Sequence, residues 1–436
     1  MFEPATIAVA IFVVTYIFIA TEWIHKTYAA LAGGLVIVWV GILTQEDAFS
    51  FHVDWNTIFL LLGLMLIVNA LRPTGIFEFS AYQVVRWAKG RPMHAVLGLC
   101  TLTAFLSPIL DNVTTILLIA PVSIVVANRL KISPALVVIL EIIASNIGGT
   151  ATLIGDPPNI IIGTVADLGF MPFLVNLGPA VLLVYLAFLP TAWWILRRQG
   201  LSRAEPLILE SADDPRHQLR DTKFLTEGLV ILGLTVLGFI FHDTLNMQPA
   251  TVAMTGAITM LVVCRRKPHE IFAEVHWTTL FFFVGLFVLV GGLIETGVVS
   301  NLADRLLEAT GGRPAAMSLS ILWGSAVASA FVDNIPYVKT TSEMLKEVAV
   351  TMNPEMAKDA ALHAANVMPL WWSLALGSCL GGNATIIGAS ANVVGVGIVE
   401  RAYGKITFFE FAKYGVLFTF EALVICSVYL WVRYFL

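Results

Sequence analysis

Long apolar runs dominate the chain. They begin near Thr6, Tyr28, Trp55, Ala135, Leu174, Phe224, Thr251, Trp277, Ala365 and Lys413. A helix needs about 20 such residues to cross a bilayer, so each run reads as a span. Two further apolar stretches, about 94–127 and 315–348, are each split near the middle by a polar tip. One run interrupts itself. "SNIGGTATLIGDPPNIIIG" (145–163) holds four glycines, two adjacent prolines and an aspartate. Its helix is predicted to stop near Gly148-Gly149 and to restart after Gly155, with Asp156 as N-cap and Pro157 at the first helical position. A second run is predicted to stop near Gly381-Gly382 and to restart after Gly388, with Ser390 near the cap. Backbone groups at membrane depth must be paired, buried in protein or set against a polar cavity, so a broken helix there marks a binding site.

Composition agrees with a membrane protein. The 436 residues are 58% hydrophobic and 13% charged, against about 45–50% and 25% in an ordinary soluble domain. The formal charge of −5 gives no reason to expect nucleic acid. Arg197, Arg198, Arg203, Arg216, Arg220 and Lys223 crowd the longest polar segment, which the positive-inside rule places in the cytoplasm. "CRRKPHE" (264–270), Arg86, Lys89 and Arg91 then face the same side, and both termini come out external. That requires each split stretch to be a re-entrant hairpin. "MFEPATIAVAIFVV" has no basic n-region and reads as a first span rather than a cleaved signal. Cys100, Cys264, Cys379 and Cys426 are scattered and form neither a zinc pattern nor a disulfide framework.

The chain repeats itself. "DWNTIFLLLGLMLIVNALRPTGIF" (54–77) matches "VHWTTLFFFVGLFVLVGGLIETGVV" (275–299), and Asp111-Asn112 recurs 222 residues later as Asp333-Asn334. "GTATLIGDPPN" (149–159) recurs at an offset of 233 as "GNATIIGASAN" (382–392). Because the matching spans run in opposite senses in this topology, the halves read as inverted repeats, as in many secondary transporters. The expected organisation is a first repeat over 1–196 (hairpin about 94–127, broken helix about 135–163) and a cytoplasmic linker over 197–223. A second repeat follows over 224–436 (hairpin about 315–348, broken helix about 365–399).

The candidate chemistry gathers at the breaks and tips. Unwound carbonyls can coordinate a cation, and half-helix N-termini can hold an anion or a neutral polar solute. Thr150, Thr152, Asn383 and Thr385 lie within the breaks, and Ser145, Asn146, Ser378 and Cys379 lie about a turn earlier. Asn112 and Asn334 complete the candidate substrate set. Asp111 and Asp333 sit in apolar surroundings, where each either caps a hairpin helix or binds a cation or proton. Glu141, one turn before Ser145, is a second candidate proton carrier. Asp156 has alanine as its counterpart and reads as a cap with a secondary role. Cys379 also reads as a small buried residue. The histidines, His363 among them, show no ligand spacing, and no metal or cofactor is expected. H-E-x-x-H, G-x-S-x-G and a Walker lysine are all absent, which argues against an enzyme.

"LSPILDNVTTILLIAPV", "EIIASNIGGTATLIGDPPNIIIG", "SAFVDNIPY" and "LGSCLGGNATIIGASANVVGVGI" resemble the ion transporter superfamily, in particular its ArsB/NhaD permease branch and the subgroup of the melanosomal P protein. The resemblance covers nearly the whole chain. It implies an all-α polytopic protein of two inverted five-helix repeats, each with a re-entrant hairpin and a discontinuous helix, in the inner (plasma) membrane. It also implies a homodimer working as an elevator, and it admits a soluble ATPase partner. In dicarboxylate relatives of the superfamily Ser-Asn-Thr motifs at the hairpin tips bind sodium and substrate. Here the tips read Asp-Asn, and no arginine or lysine is expected near the breaks to hold two carboxylates. The branch offers arsenite or antimonite export in exchange for protons, and sodium/proton antiport as the alternative. A passive ion channel is the third reading.

Overall fold

The computed structural model describes residues 3–21, 23–89, 91–201, 218–264, 268–331, 334–352 and 367–436. Among these the regular structure is helical, and eight helices are long and apolar enough to cross a membrane. The outer faces of the long helices carry exposed Leu182, Leu186, Val230, Leu234, Val428 and Val432. Such faces are stable against lipid tails and not against water.

The first half runs α1 (Pro4–Thr21), α2 (Lys26–Trp39), α3 (Trp55–Leu71) and α4 (Ile76–Trp87), then a hairpin of α5 (Pro92–Leu110) and α6 (Asn112–Arg129). The broken helix follows as α7 (Pro134–Gly149) and α8 (Pro157–Ala166), and then α9 (Phe170–Arg198). The second half repeats this order element for element. It runs α10 (Thr222–Phe241), α11 (Pro249–Cys264), α12 (Trp277–Glu295), α13 (Val298–Thr310), α14 (Pro314–Phe331), α15 (Asn334–Met352), α16 (Met368–Gly381), α17 (Ser390–Tyr403) and α18 (Phe408–Tyr434). The expected start near Ala365, His363, and most of the 197–223 linker lie outside the described residues. Even the entry to the third helix recurs. Trp55 Nε1 donates to the Phe49 carbonyl and Trp277 Nε1 to the Phe272 carbonyl, both at 3.0 Å.

Packing between the halves is reciprocal. Helix α3 lies on α11, and α12 lies on α2, so each half's third helix packs on the other's second. Glycines make these crossings close. A Cβ on Gly63 would sit 2.8 Å from the Ala253 Cβ, and one on Gly285 would sit 2.5 Å from the Ala30 carbonyl carbon. Helices in a membrane associate through such small residues because lipid offers no hydrophobic drive. Around the breaks the exchange continues, with α17 against α6 and α7, and α15 and α16 against α8. Contacts of the form i-to-j′ matched by j-to-i′ are those of two units related by a two-fold axis.

Candidate substrate site at the paired helix breaks

Each break is braced by an asparagine from the helix that restarts. The third residue of α8, Asn159, donates Nδ2 to the carbonyls of Thr150 and Thr152 at 3.1 and 2.8 Å. Asn392, the third residue of α17, does the same to the carbonyls of Gly382 and Thr385, both at 2.7 Å. These bonds satisfy carbonyls that lost their helical partners, which is the condition for unwound backbone at this depth. The break hydroxyls tether the hairpins. Thr152 Oγ1 donates to the Pro108 carbonyl at 2.6 Å, and Thr385 Oγ1 donates to the Ala330 carbonyl. Thr150 Oγ1 bonds back to the Asn146 carbonyl at 2.7 Å.

The two breaks meet at Asn146. Its Nδ2 donates to Asn383 Oδ1 and Asn392 Oδ1 of the other half, both at 2.9 Å, and its Oδ1 accepts from Asn112 Nδ2 at 3.1 Å. The equivalent position in the second half, Cys379, points its thiol at Asn159 Oδ1 at 3.5 Å. Each of the two therefore reaches the bracing asparagine of the opposite half. Ser145 Oγ lies 3.2 Å from both Ser107 Oγ and the Asn112 carbonyl, which ties the first tip to α7. Ser378 instead bonds the Leu374 carbonyl of its own helix at 2.6 Å, while Ser329 of the second hairpin reaches the Ser378 carbonyl at 2.7 Å.

Among the described residues, Asn112 Oδ1, Asn334 Nδ2 and Glu141 Oε2 are buried polar atoms with no hydrogen-bond partner. Each such atom disfavours the folded state by about 1–3 kcal/mol unless a solute or proton engages it. Glu141 is fully buried, and its other oxygen accepts from Ser123 Oγ of the first hairpin. That leaves one buried carboxyl oxygen, about two turns before the first break on α7, able to take a proton.

The remaining candidates divide. Asp111, at φ 70°, caps α6, with Oδ1 accepting from the Thr114 amide at 2.9 Å and Oδ2 from the Thr114 hydroxyl at 2.6 Å. Of the two readings its sequence allowed, this geometry is the cap. Asp333 lies outside the described residues. Asp156 is buried and holds the N-cap position of α8, but its side chain makes no cap bond and stands beside the Cys379 thiol.

One sequence reading is corrected. A lysine does lie at a break. Lys26, at the start of α2, donates Nζ to Ser390 Oγ at 2.9 Å. The two residues are far apart in the chain, and the packing of the halves brings them together. Asn159, Asn392, Ser107 and Ser329 were also missed as site residues. The two asparagines close the matched segments "GTATLIGDPPN" and "GNATIIGASAN", and that shared ending was their available signal.

The surroundings of the two breaks are unequal. Beside α8 a cavity of 480 Å³ opens between the α8–α9 and α10–α11 connections, lined by Asn56, Thr164, Asp167, Asp243, Asn246 and Gln248 among others. Beside the start of α17, Lys26 Nζ bonds Ser390 Oγ, and nearby Thr27 Oγ1 donates to the Thr278 carbonyl at 2.8 Å.

Residues 16–377 match the family model described as citrate transporter, CitMHS. The chain belongs to the CitMHS citrate transporter family. A Mycobacterium tuberculosis protein called an uncharacterized transporter is 40% identical over 99% of both chains. The 46 kDa membrane protein of Mycobacterium leprae is 39% identical, again over 99% of both. The P protein of Mus musculus is 31% identical over 94% of this chain and 58% of its own length. The same fold is found in the Alcanivorax borkumensis YdaH transporter, with a TM-score of 0.60 at 13% identity over 99% of this chain and 98% of that one. Neisseria gonorrhoeae MtrF gives a TM-score of 0.56 at 12% identity over 100% and 96%. This CitMHS protein is thus a multi-pass membrane transporter and not an enzyme, as its sequence predicts.

Proposed function

We propose that this CitMHS-family chain is a secondary active transporter of the ArsB/NhaD type that exports arsenite or antimonite in exchange for protons. One observation carries the reading. Asn146 joins Asn383, Asn392 and Asn112, so amides of both halves converge on one point between two helix breaks. A neutral trihydroxide is recognised by donors and acceptors without net charge, and amides, hydroxyls and a thiol supply both. Asn112 Oδ1 and Asn334 Nδ2 are the acceptor and donor left for it. Glu141 carries the proton, in place of Asp111. Solute and proton then compete through one conformational equilibrium, which is the requirement for exchange.

Transport follows from the unequal ends. The cavity beside α8 and the closed contact beside α17 are the two faces of one state, and exchanging their roles gives the other. In this reading the repeats are inverted in the membrane, the hairpins are re-entrant, and the transport unit moves as an elevator within a homodimer. A second reading has its own support. Lys26 at the restart of α17 adds a positive charge to a half-helix N-terminus, which suits a carboxylate solute of the kind the family description names.

Uptake into everted vesicles separates them. Arsenite, antimonite, citrate, sodium and lithium are each offered under an imposed proton gradient while internal pH is followed. Metalloid accumulation that dissipates the gradient is expected. Citrate accumulation instead would transfer the site to the second reading, and proton movement with sodium or lithium alone would favour the sodium antiporter. Conductance with no solute accumulated against a gradient would contradict all three and leave a channel.

A further inference from the structure

A groove lies between α4 and α5, with a volume of 660 Å³. Its apolar wall includes Trp87, Leu102 and Phe105, and both aromatic rings are exposed. Its other end carries Lys89, Arg91 and His94. No described carboxylate pairs with any of these three side chains. Arg91 also precedes the first turn of α5, whose N–H groups and dipole favour an anion. We propose that this groove holds an anionic phospholipid, with its phosphate among Lys89, Arg91 and His94 and an acyl chain along Trp87, Leu102 and Phe105.

The internal repeat supplies an independent argument. At an offset of 222, Trp87 corresponds to Ala309, Lys89 to Gly311 and His94 to Ala316, while only Arg91 keeps its charge as Arg313. The rest of this stretch is shared, since "GRP" occurs at 90–92 and at 312–314. A feature needed for folding would be kept in both halves. This one is built at one end of the molecule, as expected of a site for the anionic lipid of a single leaflet. Basic pockets beside membrane helices on the cytoplasmic side bind lipid headgroups by this chemistry. The positive-inside rule puts Lys89 and Arg91 on that side.

Native mass spectrometry of the purified full chain tests it. The protein in detergent is mixed with phosphatidylglycerol, with phosphatidylcholine, or with glycerol 3-phosphate, and retained molecules are counted. Phosphatidylglycerol is expected to be retained in preference to phosphatidylcholine, and glycerol 3-phosphate is expected not to be retained. At about fivefold per cation, the double variant Lys89→Ala/Arg91→Ala should lower phosphatidylglycerol retention roughly 25-fold. The charge-keeping variant Lys89→Arg/Arg91→Lys should retain it, which separates loss of charge from loss of fold. Equal retention of the two lipids by the unaltered protein would overturn the proposal. So would unchanged phosphatidylglycerol retention in the alanine variant, or retention of glycerol 3-phosphate alone. A dimer that the alanine variant converts to monomer with no change in lipid would make the groove an interface between copies instead.

Discussion

Asn146 and Cys379 occupy equivalent positions and do related but unequal things. Both reach across to the other half's bracing asparagine, yet only Asn146 also offers an acceptor to its own hairpin tip. A thiol is a weak hydrogen-bonding group, and the second tip amide, Asn334 Nδ2, is left without a partner. In the proposed mechanism, function at this scale rests on amides and on Glu141, and the tip carboxylate of the first hairpin has a structural duty. Both oxygens of Asp111 are engaged by Thr114. Replacing Asp111 with Ala should therefore lower stability by about 1 kcal/mol, as for loss of a good N-cap, and leave the pH profile of transport in place. Thermal unfolding in detergent and proton-driven uptake at several pH values check the two halves of that statement. A pH profile flattened by the substitution would return Asp111 to the role of carrier. Much of this constellation was legible in the sequence, because the residues of each break recur at a fixed offset. Lys26 was not, since it meets Ser390 across 364 residues of chain and no local pattern records that contact.

At the scale of elements, glycine decides how near the hairpins come to the broken helices. A Cβ on Gly148 would lie 2.0 Å from the Ala104 carbonyl oxygen, and one on Gly381 would lie 2.4 Å from the Ala326 Cα. Backbone atoms cannot yield as a flexible side chain can. Gly148→Ala is expected to reduce stability by at least the roughly 1–3 kcal/mol typical of overpacking. It should also reduce transport, because Thr152 would lose its register with the Pro108 carbonyl. A melting temperature equal to that of the unaltered protein would contradict the packing described here. The sequence predicted the helix stop near Gly148-Gly149 and the restart at Pro157, and α7 and α8 end and begin there. The runs near Tyr28 and Thr251, read as spans, form the shorter helices α2 and α11 of 14 and 16 residues, below the about 20 a crossing helix needs. The bracing by Asn159 and Asn392 was hidden for a geometric reason. It depends on where unwound carbonyls of residues several positions earlier come to point.

Among the described residues the molecule is two copies of one plan with their contacts exchanged, and in the proposed mechanism its departures from that symmetry set its state. A cavity opens beside α8, and a Lys26–Ser390 bond lies at the start of α17; in the proposed mechanism these are the open and closed ends of one state. A symmetric molecule would be open or shut at both ends at once, and could not carry a solute uphill. Coupling requires in addition that the solute and the proton exclude one another, and in the proposed mechanism the proton is assigned to Glu141, whose Oε2 is buried with no hydrogen-bond partner among the described residues. Proton release on solute binding tests this most directly. Arsenite is added to the purified protein in weakly buffered solution, with binding and released protons measured together. The account predicts that the unaltered protein gives up a proton as it binds, and that Glu141→Gln binds arsenite with no release. Proton release of the same size from Glu141→Gln would contradict it.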